Sequence, residues 1–204
     1  MHHDPTVYIV DDDSSVRESL RWLMESVGLN VNTYESAQAF LRESNNAAAG
    51  CLLLDVRLRD MSGLELQLRL KEKGFQLPII FITGHGEVTM AVQAMKDGAV
   101  DFMTKPFDDQ KLLDSVQRVL SQTQAMSEKN AQRDLTVSRL ASLSPRERQV
   151  LDKVIEGKLN KIIADELNIS NKTVEAHRAR VMDKMRAHTL AELIRQIALT
   201  GEYH

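Results

Sequence analysis

In the first half of the chain, five short apolar runs alternate with stretches whose apolar residues recur at helical spacing, and few folds accept that pattern. The runs are Val7–Val10, Val31–Tyr34, Leu52–Leu54, Ile79–Ile82 and Val100–Met103. Between and after them, Leu20, Leu23, Met24 and Val27 fall at helical spacing, as do Leu64, Leu66, Leu68 and Leu70. Val88, Ala91, Val92 and Met95 follow, then Leu112, Leu113, Val116 and Val119–Leu120. Continuous apolar strands that alternate with helices predict a doubly wound α/β fold, a five-stranded parallel sheet covered on both faces.

The second half reads differently. Residues 1–120 carry a net charge of −6 and residues 121–204 a net +3, within a total of −3. After Phe107 the only Phe, Trp or Tyr is Tyr203. Two domains with different partners are therefore expected in these 204 residues. A single cysteine, Cys51, excludes an intramolecular disulfide and a Cys-rich zinc site. No apolar run approaches the roughly 20 residues of a membrane span, and no signal-like segment opens the chain, so a cytoplasmic location is expected.

Ser121–Ser142 is polar but lacks Gly and Pro, which predicts a helical connector, with Leu135, Val137 and Leu140 marking one apolar face. The assigned boundaries are 5–122 for the first domain, 123–140 for the linker and 141–203 for an all-α four-helix domain. In that last domain Ser144-Pro145-Arg146-Glu147 has the form of a capping box with proline at the first helical position, and Gly157 ends the helix. Asn160 is expected to cap a second helix, Lys161–Leu167; a turn at Asn168-Ile169-Ser170 leads into a third through Met185, and Leu190–Leu199 makes a fourth.

The chemistry of the first domain gathers at its strand ends. Asp11, Asp12 and Asp13 follow the first run, Asp55 the third, Thr83 the fourth and Lys105-Pro106 the fifth. In a parallel sheet these carboxyl ends share one edge, where open α/β folds bind ligands. One aspartate after a strand usually just begins a loop; four matched positions with complementary chemistry argue for a site. Crowded carboxylates call for a cation, and an oxygen-only set suits Mg²⁺. Aspartate is also a nucleophile toward phosphoryl groups, with ammonium and hydroxyl as stabilisers of the transferring oxygens. Gly84 and Gly86 leave room for backbone to approach a phosphate, Asp13 stays ambiguous, and His85 reads as a loop residue.

Asp11-Asp12, Asp55, Thr83 and Lys105-Pro106 resemble the receiver domain of bacterial two-component response regulators, which has a flavodoxin-like fold. The resemblance implies that Asp55 accepts a phosphoryl group from a sensor histidine kinase. It implies that Asp12, Asp55 and the backbone carbonyl of Arg57 ligate Mg²⁺, with Asp11 acting largely through water. Thr83 and Lys105 would contact the phosphoryl oxygens, Phe102 would move with Thr83, and the Lys105-Pro106 bond would be cis. Thr83-Gly84-His85-Gly86-Glu87 and Ala94-Met95-Lys96-Asp97-Gly98-Ala99 are similar to FixJ-type regulators in particular. Arg59 and Thr89 stand where those relatives usually carry proline, and neither is expected to touch the acid cluster.

In the basic half, helix, tight turn and longer helix form a helix-turn-helix pattern. Val174, His177 or Arg178, Val181 and Met185 are spaced to face inward, leaving Asn171, Lys172, Glu175, Ala176, Ala179 and Arg180 outward. Residues 171–186 carry a net +3, suited to a phosphate backbone. The lack of aromatics disfavours single strands, which are gripped by stacking, and leaves duplex DNA. Leu143–Arg148, Asn160-Lys161, Ile169-Ser170 and Thr173–His177 resemble the LuxR/FixJ-type DNA-binding domain. The resemblance implies base-edge positions at Glu175, Ala176 and Ala179 or Arg180. Phosphate contacts are implied at Lys161, Lys172, Thr173, Arg178 and Lys184.

The combined expectation is a transcriptional response regulator. Phosphorylation would drive homodimerisation through a face of the fourth helix and fifth strand that includes Val88, Val92, Met95 and Ala99. Tighter promoter binding, and contact with RNA polymerase, would follow. The chain would be no enzyme beyond at most autophosphatase activity. An aspartate-nucleophile phosphatase is the alternative from the enzyme class, but its general acid would stand two residues after the nucleophile, where this chain has Arg57. A DNA-binding regulator controlled by something other than phosphate is the second; the intact acid cluster argues against it.

Overall fold

The computed structural model describes residues 5–43, 50–75, 77–84 and 88–201. His85, Gly86 and Glu87, considered above, lie outside them, as do His2 and His3 near the start of the sequence. Two compact units divide between Met126 and Ser127.

The first unit alternates strand and helix: β1 Thr6–Val10, α1 Ser14–Glu25, β2 Asn30–Tyr34, α2 Ala37–Glu43, β3 Gly50–Leu54, α3 Gly63–Glu72, β4 Ile79–Thr83, α4 Val88–Lys96, β5 Asp101–Thr104 and the first part of α5 Asp109–Ala141, whose remainder from Ser127 belongs to the second unit. All strand pairs are parallel, in the order β2-β1-β3-β4-β5. The doubly wound sheet is thus as expected, and its two-faced burial follows from the period of a strand. Val7, Ile9, Cys51, Leu53, Ile80 and Ile82 point to one face, where they pack with Leu20 and Met24 of α1 and Leu112, Val116 and Val119 of α5. Tyr8, Val10, Leu52, Leu54, Ile79 and Phe81 point to the other, against Phe40 of α2, Leu66 and Leu70 of α3 and Ala94 of α4. Burial at the first face pushes the Cys51 thiol up to about 12, so it behaves as a small apolar residue.

Three helical patterns need correction. In α3 the inward residues are Leu66, Gln67 and Leu70, while Leu68 is exposed: a run of leucines at every second position cannot all share one face of a helix. Val27 lies beyond the end of α1 and is exposed. The expected connector is the second part of a single 33-residue helix, α5, and its apolar positions do not form one face, since Leu140 is buried while Leu135 and Val137 are exposed.

The second unit continues from the end of α5 into α6 Pro145–Ile155, α7 Asn160–Leu167, α8 Asn171–Met185 and α9 Leu190–Ala198. The capping box forms: Ser144 Oγ accepts from the Glu147 amide and Glu147 Oε2 accepts from the Ser144 amide. Gly157 follows α6 with φ 77°. Asn160 is not a cap. Leu159 holds the N-cap position of α7 without a side-chain bond, and Asn160 Oδ1 instead accepts from Arg178 Nη1 at 2.7 Å. Asn168 takes the left-handed conformation (φ 51°) that lets the chain turn between α7 and α8, and Ser170 caps α8. Leu140, Leu151, Val181, Met185, Leu193 and Ile197 form one core cluster, and Val150, Val154, Ile163, Ala164 and Val174 a second.

Candidate phosphoacceptor site and candidate DNA-binding face

Strand order places β1 beside β3, with their outgoing connections leading to opposite faces of the sheet, and the carboxyl ends of such a pair open a crevice. Asp11, Asp12 and Asp55 stand there, offering one carboxylate oxygen each within 4.8 Å of one another. Asp11 is 2% exposed and Asp55 9%. Lys105, from the end of β5, reaches between them: its Nζ donates to Asp11 Oδ2 at 2.6 Å and to Asp55 Oδ2 at 2.9 Å. The cis Lys105-Pro106 bond follows. Burial pushes the Asp11 carboxyl above its ordinary range, against the pull of Lys105. For Lys105 burial favours the neutral amine, but the two carboxylates outweigh it and hold the ammonium above its ordinary value.

The donor set fits a small hard cation. Three carboxylate oxygens within 4.8 Å of one another form the oxygen-only ligand set that Mg²⁺ accepts. Asp55 is held for that task by its own loop, with Oδ1 accepting from the Arg57 amide at 3.0 Å. Thr83, at the end of β4, is 1% exposed. Phe102 on β5 is half-buried beside Phe81, with ring centroids 6.1 Å apart. Asp13, ambiguous in sequence, is the N-cap of α1 and accepts from the Ser15 amide.

Two residues near the site went unrecognised in the sequence. Gly63, the first residue of α3, lies so close to the loop that a Cβ there would meet the Asp55 carbonyl oxygen at 2.2 Å. A glycine after Ser62 was the available signal, since a serine N-cap marks the helix start. The other is Arg59. Contrary to expectation it does touch the acid cluster: Nε donates to Asp12 Oδ2 at 2.9 Å. Nothing in its sequence position tells which way so long a side chain turns.

On α4, Val88, Val92 and Met95 are exposed, at 80%, 48% and 47%, forming an apolar strip. Ala99 does not belong to it. It is 6% exposed and packs in the core, because the chain turns inward after Gly98 toward β5.

On α8, Val174, Val181 and Met185 are buried, as spaced, and His177 is half-buried. Asn171, Lys172, Glu175, Ala176, Ala179 and Arg180 are exposed, as is Lys161 on α7; Thr173 is half-buried against Ser170. Glu175 accepts from Asn171 at 3.2 Å. Arg178 is half-buried and tied to Asn160. Lys184 is committed elsewhere: its Nζ binds Glu147 Oε2 at 2.7 Å and the Ser142 carbonyl at 3.1 Å, so it ties α8 to the start of α6 and is no free phosphate contact. That ammonium, with the Ser144 amide, holds the Glu147 carboxyl down at about 2.

Among known proteins, residues 7–117 match the response regulator receiver domain, and residues 141–197 match the bacterial regulatory proteins of the luxR family. The transcriptional regulatory protein TdiR of Thauera aromatica is 45% identical over 199 residues, covering 98% of this chain and 87% of TdiR. The transcriptional regulatory protein FixJ of Bradyrhizobium diazoefficiens is 44% identical over 195 residues, covering 96% and 95%. Among solved structures, that of the response regulator StyR superposes with a TM-score of 0.87 at 42% identity, covering 96% of this chain and 99% of that one. Full-length FixJ from B. japonicum gives 0.61 at 42% identity, covering 98% of each.

Proposed function

We propose how this chain, which belongs to the transcriptional response regulators that join a receiver domain to a LuxR-type DNA-binding domain, is switched: Asp55 takes a phosphoryl group from a sensor histidine kinase. The observation that carries the reading is the Lys105 ammonium shared by Asp11 and Asp55 beside Asp12 at the β1/β3 crevice. An Asp55 carboxylate oxygen bonds to phosphorus as the phosphorus–nitrogen bond of the kinase phosphohistidine breaks, and the imidazole leaves with the electron pair. Asp12, Asp55 and the Arg57 carbonyl would hold Mg²⁺, with Asp11 through water; when bound, it neutralises charge on the transferring oxygens. Lys105 exchanges a carboxylate partner for a phosphoryl oxygen, and the Thr83 hydroxyl turns toward another. Phe102 follows into the space that Thr83 leaves.

The consequence is pairing of two chains through Val88, Val92 and Met95, which are already exposed. Two α8 helices then meet adjacent half-sites on duplex DNA, and the second contact becomes intramolecular. Lys161, Lys172 and Thr173 serve the phosphate backbone, with Glu175, Ala176, Ala179 and Arg180 at the bases. The protein works in the cytoplasm, engages RNA polymerase at the promoter, and performs no catalysis beyond loss of its own phosphoryl group. Light scattering before and after treatment with Mg²⁺ and acetyl phosphate tests the pairing step. Mass should double toward a dimer in the wild type and stay monomeric in Asp55→Asn; a modified protein that remains monomeric contradicts it.

A further inference from the structure

The cluster binds two cationic side chains in unequal ways. Lys105 sits in the crevice with its side chain 20% exposed and bridges Asp11 and Asp55. Arg59 approaches from solvent with its side chain 84% exposed and pairs with Asp12, the least buried of the three acids at 25%. Asp12 is also one of the three carboxylates able to share a single cation. A guanidinium and a dication therefore compete for the same carboxylate.

We propose that Arg59 sets the affinity of the acid cluster for Mg²⁺, acting as a displaceable counter-charge on Asp12. This rests on the reading of Asp12 as a metal ligand. A bound ion would draw on the carboxylate charge that Arg59 Nε holds through Asp12 Oδ2, and a positive side chain would then lie close to a dication. Both effects weaken binding relative to a chain without Arg59. Because the guanidinium is solvated and on a mobile stem, it can swing away, so the penalty is that of an exposed ion pair and not of a buried one. Arg59 is thus a tuning residue: it offsets part of the cluster's negative charge and raises the Mg²⁺ concentration at which the site becomes competent.

The test is a Mg²⁺ titration of the full chain followed by backbone amide shifts of Asp13 and Arg57, on wild type, Arg59→Ala, Arg59→Lys and Asp12→Asn. Arg59→Ala should tighten Mg²⁺ binding roughly two- to fivefold at low ionic strength, the yield of losing one exposed ion pair. The gap should narrow as added salt screens the pair, and Arg59→Lys should stay near wild type. Asp12→Asn should weaken binding strongly. Equal or weaker binding by Arg59→Ala, with Asp12→Asn still impaired, overturns the proposal and leaves the site intact. Unimpaired binding by Asp12→Asn overturns the metal-ligand reading beneath it.

Discussion

At the residue scale the informative side chains are those that hold the crevice in order. Lys105 pairs with two nearly buried carboxylates at once, so Lys105→Ala leaves like charges facing one another. We expect a loss of about 2–3 kcal/mol near neutral pH, at or below the low end of the cost of breaking a buried pair because the lysine is partly solvated. Thermal melts should show the deficit shrinking on addition of Mg²⁺, which supplies the missing charge; an undiminished deficit would speak against a shared cation site. Gly63→Ala forces a methyl against the Asp55 carbonyl and should cost about 1–3 kcal/mol by overpacking. Equilibrium denaturation checks this, and an unchanged midpoint would show that the loop yields freely. The aspartates, Thr83 and Lys105 were readable because backbone topology alone delivers strand ends to one edge. Arg59 and Lys184 were not, since four or more rotatable bonds let a long side chain choose partners that spacing does not specify.

At the scale of elements, α6 and α8 are joined by the Glu147–Lys184 pair, with Glu147 also closing the capping box. Its carboxyl lies at about 2 in the folded chain against an ordinary 4.5. A lowered folded value contributes stability that is complete above about pH 4.5 and lost as pH falls through the range down to about 2. Glu147→Gln should therefore be destabilised at pH 7, by about 1–2 kcal/mol for the lost charge and weakened cap, and should converge on wild type near pH 2. Melts across pH measure this; a deficit independent of pH would assign the effect to packing alone. Capping boxes are legible because they are local, and Ser144 and Glu147 stand three positions apart. The misplaced cap at Asn160 shows the limit: Arg178, on the next helix, claims the same side chain. The leucines of α3 failed for a related reason, because apolar character says nothing of direction when every second residue is leucine.

At the scale of the whole molecule, two domain patterns were visible as shifts in charge, aromatic content and periodicity. The helical character of the connector was legible from its lack of Gly and Pro, whereas its unbroken continuity with the last helix of the first domain was not, since no residue marks a helix that simply runs on. On DNA, Arg180→Ala should cost roughly 1–3 kcal/mol and relax preference at one base pair, whereas Lys172→Ala should weaken all sequences alike and flatten the salt dependence. Titrations of operator variants at two salt concentrations distinguish the two; uniform loss from both substitutions would remove Arg180 from the base-reading face. A sequence cannot show the coupling between the domains, because coupling is a difference between two states and one chain encodes both.

The central claim is that one carboxylate, Asp55, carries the phosphoryl group and thereby governs the rest. Intact-mass and peptide-mapping spectrometry after incubation with Mg²⁺ and acetyl phosphate measures it directly. The account predicts one added phosphoryl group, located on Asp55 and missing from Asp55→Asn. A label on any other residue, or equal labelling of the variant, would contradict it.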